Sequence, residues 1–193
     1  MFNTSEFLNR SLNIAKMIIS QKLTEGDIAV DATSGNGNDT LFLANIVGCK
    51  GKVYSFDIQD KAIENTKRLL ENNNISNSVE IVHDGHEFID KYVKEKVKVV
   101  VFNLGYLPGS DKKISTKAET TILAIKKSLD LLVEGGLILL VVYYGHPTGT
   151  YEKEEVCAYS AKLDKQKYNV FHLEFTNQDN NPPILIGIEK RVF

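Results

Sequence analysis

Residues 30–40 read VDATSGNGNDT: an apolar run ends in Asp31, a glycine-rich turn follows at Gly35 and Gly37, and Asn38-Asp39-Thr40 opens a helical segment. A strand feeding such a turn and helix brings backbone N–H groups close to a nucleotide. Two acids, Asp31 and Asp39, flank the turn. Carboxylates on both sides repel a pyrophosphate and attract a cation. S-adenosylmethionine (SAM) carries a sulfonium and an ammonium beside its adenosine, so the charge pattern points to that cofactor rather than to a dinucleotide. Thr33, Gly35, Asn36, Gly37 and Asn38 then form the candidate cradle between the two acids. Alone, G-x-G is a weak signal, and here Thr40 stands in place of the third glycine or alanine of the dinucleotide fingerprint. The plainer reading is a tight turn with Asn38 or Asp39 capping the helix.

Four further segments carry groups that belong at the same edge. Asp57 ends KVYSFD, twenty positions beyond Gly37, and a carboxylate there can accept from both ribose hydroxyls. Ile58 would lie along the adenine face and Gln59 at the rim. The alternative is a polar strand end or a cap for the helix that follows. In His83-Asp84-Gly85-His86, Asp84 can accept from the adenine amino group while the Gly85–His86 backbone approaches the ring; an Asp-Gly surface turn is the alternative. In Asn103-Leu104-Gly105-Tyr106, the Asn103 side-chain oxygen and the Leu104 carbonyl can accept from an amine and aim its lone pair at a sulfonium methyl. Tyr106 can stack on a base, with Gly105 beside it; a Gly/Pro loop with a core tyrosine is the alternative. Tyr144 and His146 follow the last apolar run, His146 as a base or a substrate contact, although a lone loop histidine is more often neither.

These segments need a scaffold that delivers them to one edge. Strand patterns at 27–32, 52–57, 79–83, 97–102 and 137–144 alternate with helix patterns at about 38–47, 60–73, 86–93, 116–132 and 151–165. That repetition predicts an α/β fold with a doubly wound, mostly parallel sheet. The run 137–144 is apolar enough to be buried on both faces, and Gly135-Gly136 is read as the stop of the preceding helix. Two last strands, 168–175 and 184–191, are joined by NQDNNPP without a helix, which predicts an antiparallel hairpin and seven strands in all. Leu8, Leu12, Ala15 and Ile19 mark an N-terminal amphipathic helix within 1–22, with Asn3 and Glu6 as a capping box. We expect 1–193 to be a single domain with that helix packed on it.

Composition bounds the partners. A formal charge of −2 gives no global attraction to nucleic acid or to an anionic membrane, so RNA binding would need local patches such as Lys91/Lys94/Lys96/Lys98, Lys112/Lys113/Lys117 or Lys162/Lys165/Lys167. Cys49 and Cys157 lack metal-like spacing and suit a reducing compartment. No run is long enough to span a membrane and no signal peptide is evident, so a cytoplasmic location is expected.

Taken together, GDIAVDATSGNGNDT, FDIQ, HDGHE, FNLGYLPGSDK and YYGHPTG resemble a class I SAM-dependent methyltransferase with a Rossmann-like fold. More narrowly, they resemble the small bacterial family labelled "putative rRNA methylase", over nearly the whole chain. Members of that family have been assigned as tRNA methyltransferases. The resemblance therefore implies SAM as cofactor, tRNA as partner, and N-methylation of the 5-aminomethyl group of 2-thiouridine at the wobble position. It places the cofactor on the glycine loop, Asp57 and residues 84–86. The modified uridine falls to Asn103–Tyr106 and the Tyr144–His146 loop, with Asn103, Tyr106 and His146 as the candidate catalytic groups. No metal is implied, and a homodimer is compatible with it. One departure stands out: many base amino-methyltransferases carry Asp/Asn-Pro-Pro-Tyr, whereas Leu104-Gly105 replaces the prolines here. The readings to be weighed against it are a methyltransferase for another RNA or a small metabolite, a nicotinamide oxidoreductase, which the acids oppose, and a non-catalytic RNA-binding module on the same fold.

Overall fold

The computed structural model describes residues 8, 10–75, 77–107, 109, 114–145 and 148–193. One sheet runs in the order β3-β2-β1-β4-β5-β7-β6. Its strands are β1 (Ile28–Asp31), β2 (Lys52–Asp57), β3 (Val79–His83), β4 (Val97–Leu104), β5 (Leu132–Val142), β6 (Tyr168–Leu173) and β7 (Ile184–Lys190). The first five pair in parallel, and β7 lies antiparallel between β5 and β6. The helices are α1 (Ser11–Lys22), α2 (Asn38–Val47), α3 (Asp60–Asn72), α4 (Ile89–Tyr92), α5 (Ala118–Leu131) and α6 (Gly149–Ala161). This is the doubly wound, mostly parallel arrangement that the strand–helix repetition predicts.

Period-two alternation builds a core on each face of the sheet. On β4, Val99 and Val101 join α1 and α2 residues such as Ile14, Ile19 and Leu43. Val100 and Phe102 point the other way and pack with Ile125 of α5 and Val156 of α6. β5 repeats the pattern, with Leu137, Leu139 and Val141 on one side and Ile138, Leu140 and Val142 on the other. All six are buried, as a central strand covered by helices on both faces requires.

The structure differs from the sequence expectations in three places. Gly135-Gly136 does not end the helix, because α5 stops at Leu131 and β5 begins at Leu132. The pairing jumps from Val97↔Leu132 to Val99↔Leu137, so the glycines sit in an irregularity of the strand, where Gly135 takes a left-handed φ of 67°. Neither Asn38 nor Asp39 caps α2. Its N-cap is Gly37 at φ 81°, with no side-chain cap. A Cβ on Gly37 would meet Thr66 Cα of α3 at 2.9 Å, so glycine is required for the loop to lie against that helix. α1 begins at Ser11, leaving Leu8 outside it and exposed; Asn3 and Glu6 lie outside the described residues. The buried face of α1 is Ser11, Ile14, Ala15 and Ile19. Its two ends are tied by the Ser11 hydroxyl, which donates to the Pro183 carbonyl, and by the Lys22–Glu189 ion pair.

Candidate active site

The carboxyl ends of β1 to β5 open into one cavity of about 940 Å³, a size that suits a nucleoside-containing ligand and leaves room for an acceptor. It sits where the strand order reverses, between β1 and β4, the place where open α/β sheets bind ligands. Thr33, Gly35, Asn36, Asn38, Asp39, Asp57, Ile58, Gln59, Asp84, Gly85, His86, Asn103, Gly105, Tyr106 and Tyr144 line it. Asp31, Gly37 and Leu104 are not among the lining residues, and His146 lies outside the described residues.

The acids at the glycine loop are placed differently from one another. Asp31 is fully buried beneath the loop. Its Oδ1 accepts from Thr33 N–H at 3.1 Å and its Oδ2 lies 2.6 Å from Thr40 Oγ1, which is in turn 2.7 Å from Ser55 Oγ. Burial, reinforced by the nearby Asp39 charge, pushes its pKa up to about 7. Asp39 reaches the cavity with both oxygens engaged: Oδ1 pairs with Lys16 Nζ at 2.9 Å, and Oδ2 accepts from Asn103 Nδ2 at 2.6 Å. Lys16 is a site residue that sequence reading missed. As one helix lysine among many, it carried no signal.

The wall on the β2–β3 side is built by carboxylates held on backbone amides. Asp57 accepts from Gly35 N–H at 2.9 Å and from Gln59 N–H at 3.0 Å, which ties the first loop to the second while leaving lone pairs on both oxygens. Asp84 accepts from Gly85 N–H at 2.8 Å and from the Tyr92 hydroxyl at 2.7 Å. The tyrosine bond, with help from that amide and from Lys91, holds its pKa below the usual carboxylate range. His86 is buried, and burial lowers its pKa, so the ring is neutral at pH 7. Nδ1 lies 3.1 Å from the Ala32 carbonyl, which can only accept, so the proton is assigned to Nδ1. Nε2 is then a buried acceptor without a hydrogen-bond partner among the described residues.

On the β4–β5 side, the Asn103 N–H donates to Thr33 Oγ1 at 2.7 Å. The Leu104 carbonyl accepts from Tyr143 N–H at 2.9 Å and is thus part of the sheet extension instead of an open acceptor on the cavity wall. Gly105 N–H donates to Thr116 Oγ1 and Gly105 carbonyl accepts from Thr116 N–H, both at 2.9 Å, so residues 105–106 form a small antiparallel clip with 115–116. The Thr116 hydroxyl donates to Glu152 at 2.6 Å, and Thr121 donates to the same buried carboxylate at 2.8 Å. Tyr144 carries Lys153 Nζ over its ring at 3.9 Å from the centroid. Tyr143, Thr116 and the 180–183 segment also line the cavity and were not singled out from sequence. For the last, the available signal was Asn-Asn before Pro-Pro: Asn180 and Asn181 adopt left-handed φ values of 64° and 53°, a conformation asparagine tolerates.

Comparison with known proteins gives the arrangement a family. A protein-L-isoaspartate O-methyltransferase family model matches residues 6–93. The chain is 38% identical over 192 residues to an Arabidopsis thaliana protein described as tRNA (mnm(5)s(2)U34)-methyltransferase, chloroplastic, with 94% of this chain and 70% of that one covered. A putative rRNA-methylase structure from Clostridium thermocellum superposes with a TM-score of 0.93 at 50% identity, covering 95% of this chain and 98% of its own. A putative methyltransferase from Streptococcus mutans, solved in complex with SAH, superposes with a TM-score of 0.87 at 43% identity, with 95% and 99% covered. The Putative rRNA methylase family model matches residues 53–189, and the chain belongs to that family.

Proposed function

We propose that this protein is a SAM-dependent methyltransferase that N-methylates the 5-aminomethyl group of 2-thiouridine at the tRNA wobble position. The substrate rests on one observation, the 38% identity over 94% of this chain to the Arabidopsis tRNA methyltransferase. The geometry supports the chemistry. The residues present fit SAM: Asp57 keeps lone pairs for ribose hydroxyls, Asp84 lines the same wall, and the glycine loop presents backbone at the switch point. When bound there, SAM supplies a methyl group on a positively charged sulfur. Asn103, across the cavity from the ribose wall, offers its Oδ1 to hold an acceptor amine. With SAM held there, its sulfonium would supply the methyl group to the amine lone pair, the C–S electron pair would stay with sulfur, and the amine's proton would pass to solvent. Positioning supplies much of the acceleration in such an in-line displacement. Tyr106 and Tyr144 flank the mouth as stacking surfaces for the base.

The reaction belongs in the cytoplasm beside other tRNA maturation, a setting that the free thiols of Cys49 and Cys157 also suit. The test uses labelled SAM and tRNA from a strain lacking the gene. Nucleoside mass spectrometry should show 5-aminomethyl-2-thiouridine converted to its methylamino form. Cofactor binding with that nucleoside unchanged would sink the substrate assignment and leave the fold intact.

A further inference from the structure

We propose that Asp39 is a positioning residue for the methyl acceptor and not a ligand for the cofactor, and that Lys16 of the N-terminal helix completes the device. The proposal rests on the functional reading above only in treating Asn103 as the acceptor-side group. A carboxamide has one accepting end and one donating end, and the two are nearly isosteric. Left to itself, the Asn103 side chain can turn either end to the cavity. The carboxylate of Asp39 removes that freedom. It only accepts, and it lies 2.6 Å from the end assigned as Nδ2, so the NH₂ must face it and Oδ1 must face away. The backbone of the same residue is pinned by Thr33 Oγ1 at 2.7 Å, so flipping the amide is the remaining freedom that matters.

Lys16 holds the other oxygen of Asp39 at 2.9 Å, and both side chains are largely buried, at 17% and 14% exposure. The pairing sets a cation directly against Asp39 at the edge of the cavity. It also occupies the oxygen that a cationic ligand would otherwise use. An amine nucleophile needs an acceptor opposite it, and a flipped Asn103 would present a donor instead. The acid that looked from the sequence like a cation cradle therefore works through its neighbour. α1, fastened at both ends to the β6–β7 region, becomes part of the acceptor site.

Reciprocal substitution provides the test. Asp39→Asn allows both amide orientations, Asn103→Asp sets two carboxylates against each other, and the double variant restores one donor–carboxylate pair with an accepting oxygen still free. Each single substitution should lower kcat by about 10-fold or more, and the double variant should exceed both singles. SAH affinity of Asp39→Asn should stay within about 3-fold of wild type. In NMR spectra of the full-length protein with and without SAH, one Asn103 carboxamide proton should lie downfield and move on Asp39→Ala. A rise of about 10-fold or more in SAH Kd for Asp39→Asn at unchanged kcat would overturn the proposal. So would a double variant no better than the singles, or a carboxamide proton indifferent to Asp39→Ala. If wild type fails to methylate the tRNA while the proton shift is present, the substrate reading falls and the positioning contact stands.

Discussion

Asp57 and Asp31 are carboxylates at the ends of adjacent strands with opposite prospects. Asp57 lines the cavity and spends one bond per oxygen on backbone amides. Asp57→Ala should weaken SAM or SAH binding by about 10- to 100-fold, the span for losing a hydrogen bond to a charged group; unchanged affinity by calorimetry would mean the ribose lies elsewhere. Asp31 is buried with its pKa pushed up to about 7, first by desolvation and then by Asp39. A folded-state pKa above the unfolded value of 3.8 means that the native state holds the proton longer. Stability therefore falls as pH rises from about 4 to about 7, by at most about 1.4 kcal/mol per pH unit. Asp31→Asn removes this dependence. Urea titrations should show the advantage of wild type over Asp31→Asn shrinking between pH 5 and pH 7, and a gap that widens would contradict the burial argument. Both acids were visible in the sequence by type and spacing. What was invisible was depth: nothing in VDATSGNGNDT says that Asp31 turns inward to Thr40 and Ser55, or that Lys16 arrives from another element to claim Asp39.

Elements were legible where a single pattern ruled them and obscure where two neighbours shared the decision. The β1–α2 turn and the parallel strands follow from local punctuation and apolar runs. The start of β5 did not, because Gly135-Gly136 reads locally as a helix stop and only pairing with β4 reveals an irregular strand. The acceptor clip is a similar case. Its order comes from α6, since buried Glu152 accepts from Thr116 and Thr121 and thereby holds the 105–106 and 115–116 backbones together. Glu152→Ala strips the acceptor from two hydroxyls, and a stability loss of about 1–3 kcal/mol is expected in urea unfolding. Because the wall proposed for the cofactor is anchored separately on Asp57 and Asp84, SAH affinity should hold while KM for tRNA rises. Equal losses in both would show that α6 supports the whole cavity and not the acceptor side alone.

At the scale of the molecule, charge has to be reconciled with a polyanionic substrate. The net charge of −2 supplies no long-range pull, so the tRNA of the proposed reaction would have to be held by a few cations near the cavity. Lys117 lines the mouth and is exposed, and Arg10 approaches Tyr143 closely enough for its charge to oppose the rise in that tyrosine's pKa. Lys153 is partly spent on Glu174 at 3.2 Å and on the Tyr144 ring, while Lys112 and Lys113 lie outside the described residues. Counterion release counts such contacts directly, since each single-strand phosphate contact contributes about −0.7 to the slope of log K against log salt. Two or three contacts give a slope of about −1.4 to −2.1, shallow for an RNA-binding protein. Anisotropy titrations of an anticodon stem-loop across a salt series should return a slope in that range, with Lys117→Ala reducing it by about 0.7. A slope steeper than about −4 would demand at least twice as many phosphates, more than these residues can reach, and would place the main RNA contact on a lysine-rich face away from the cavity.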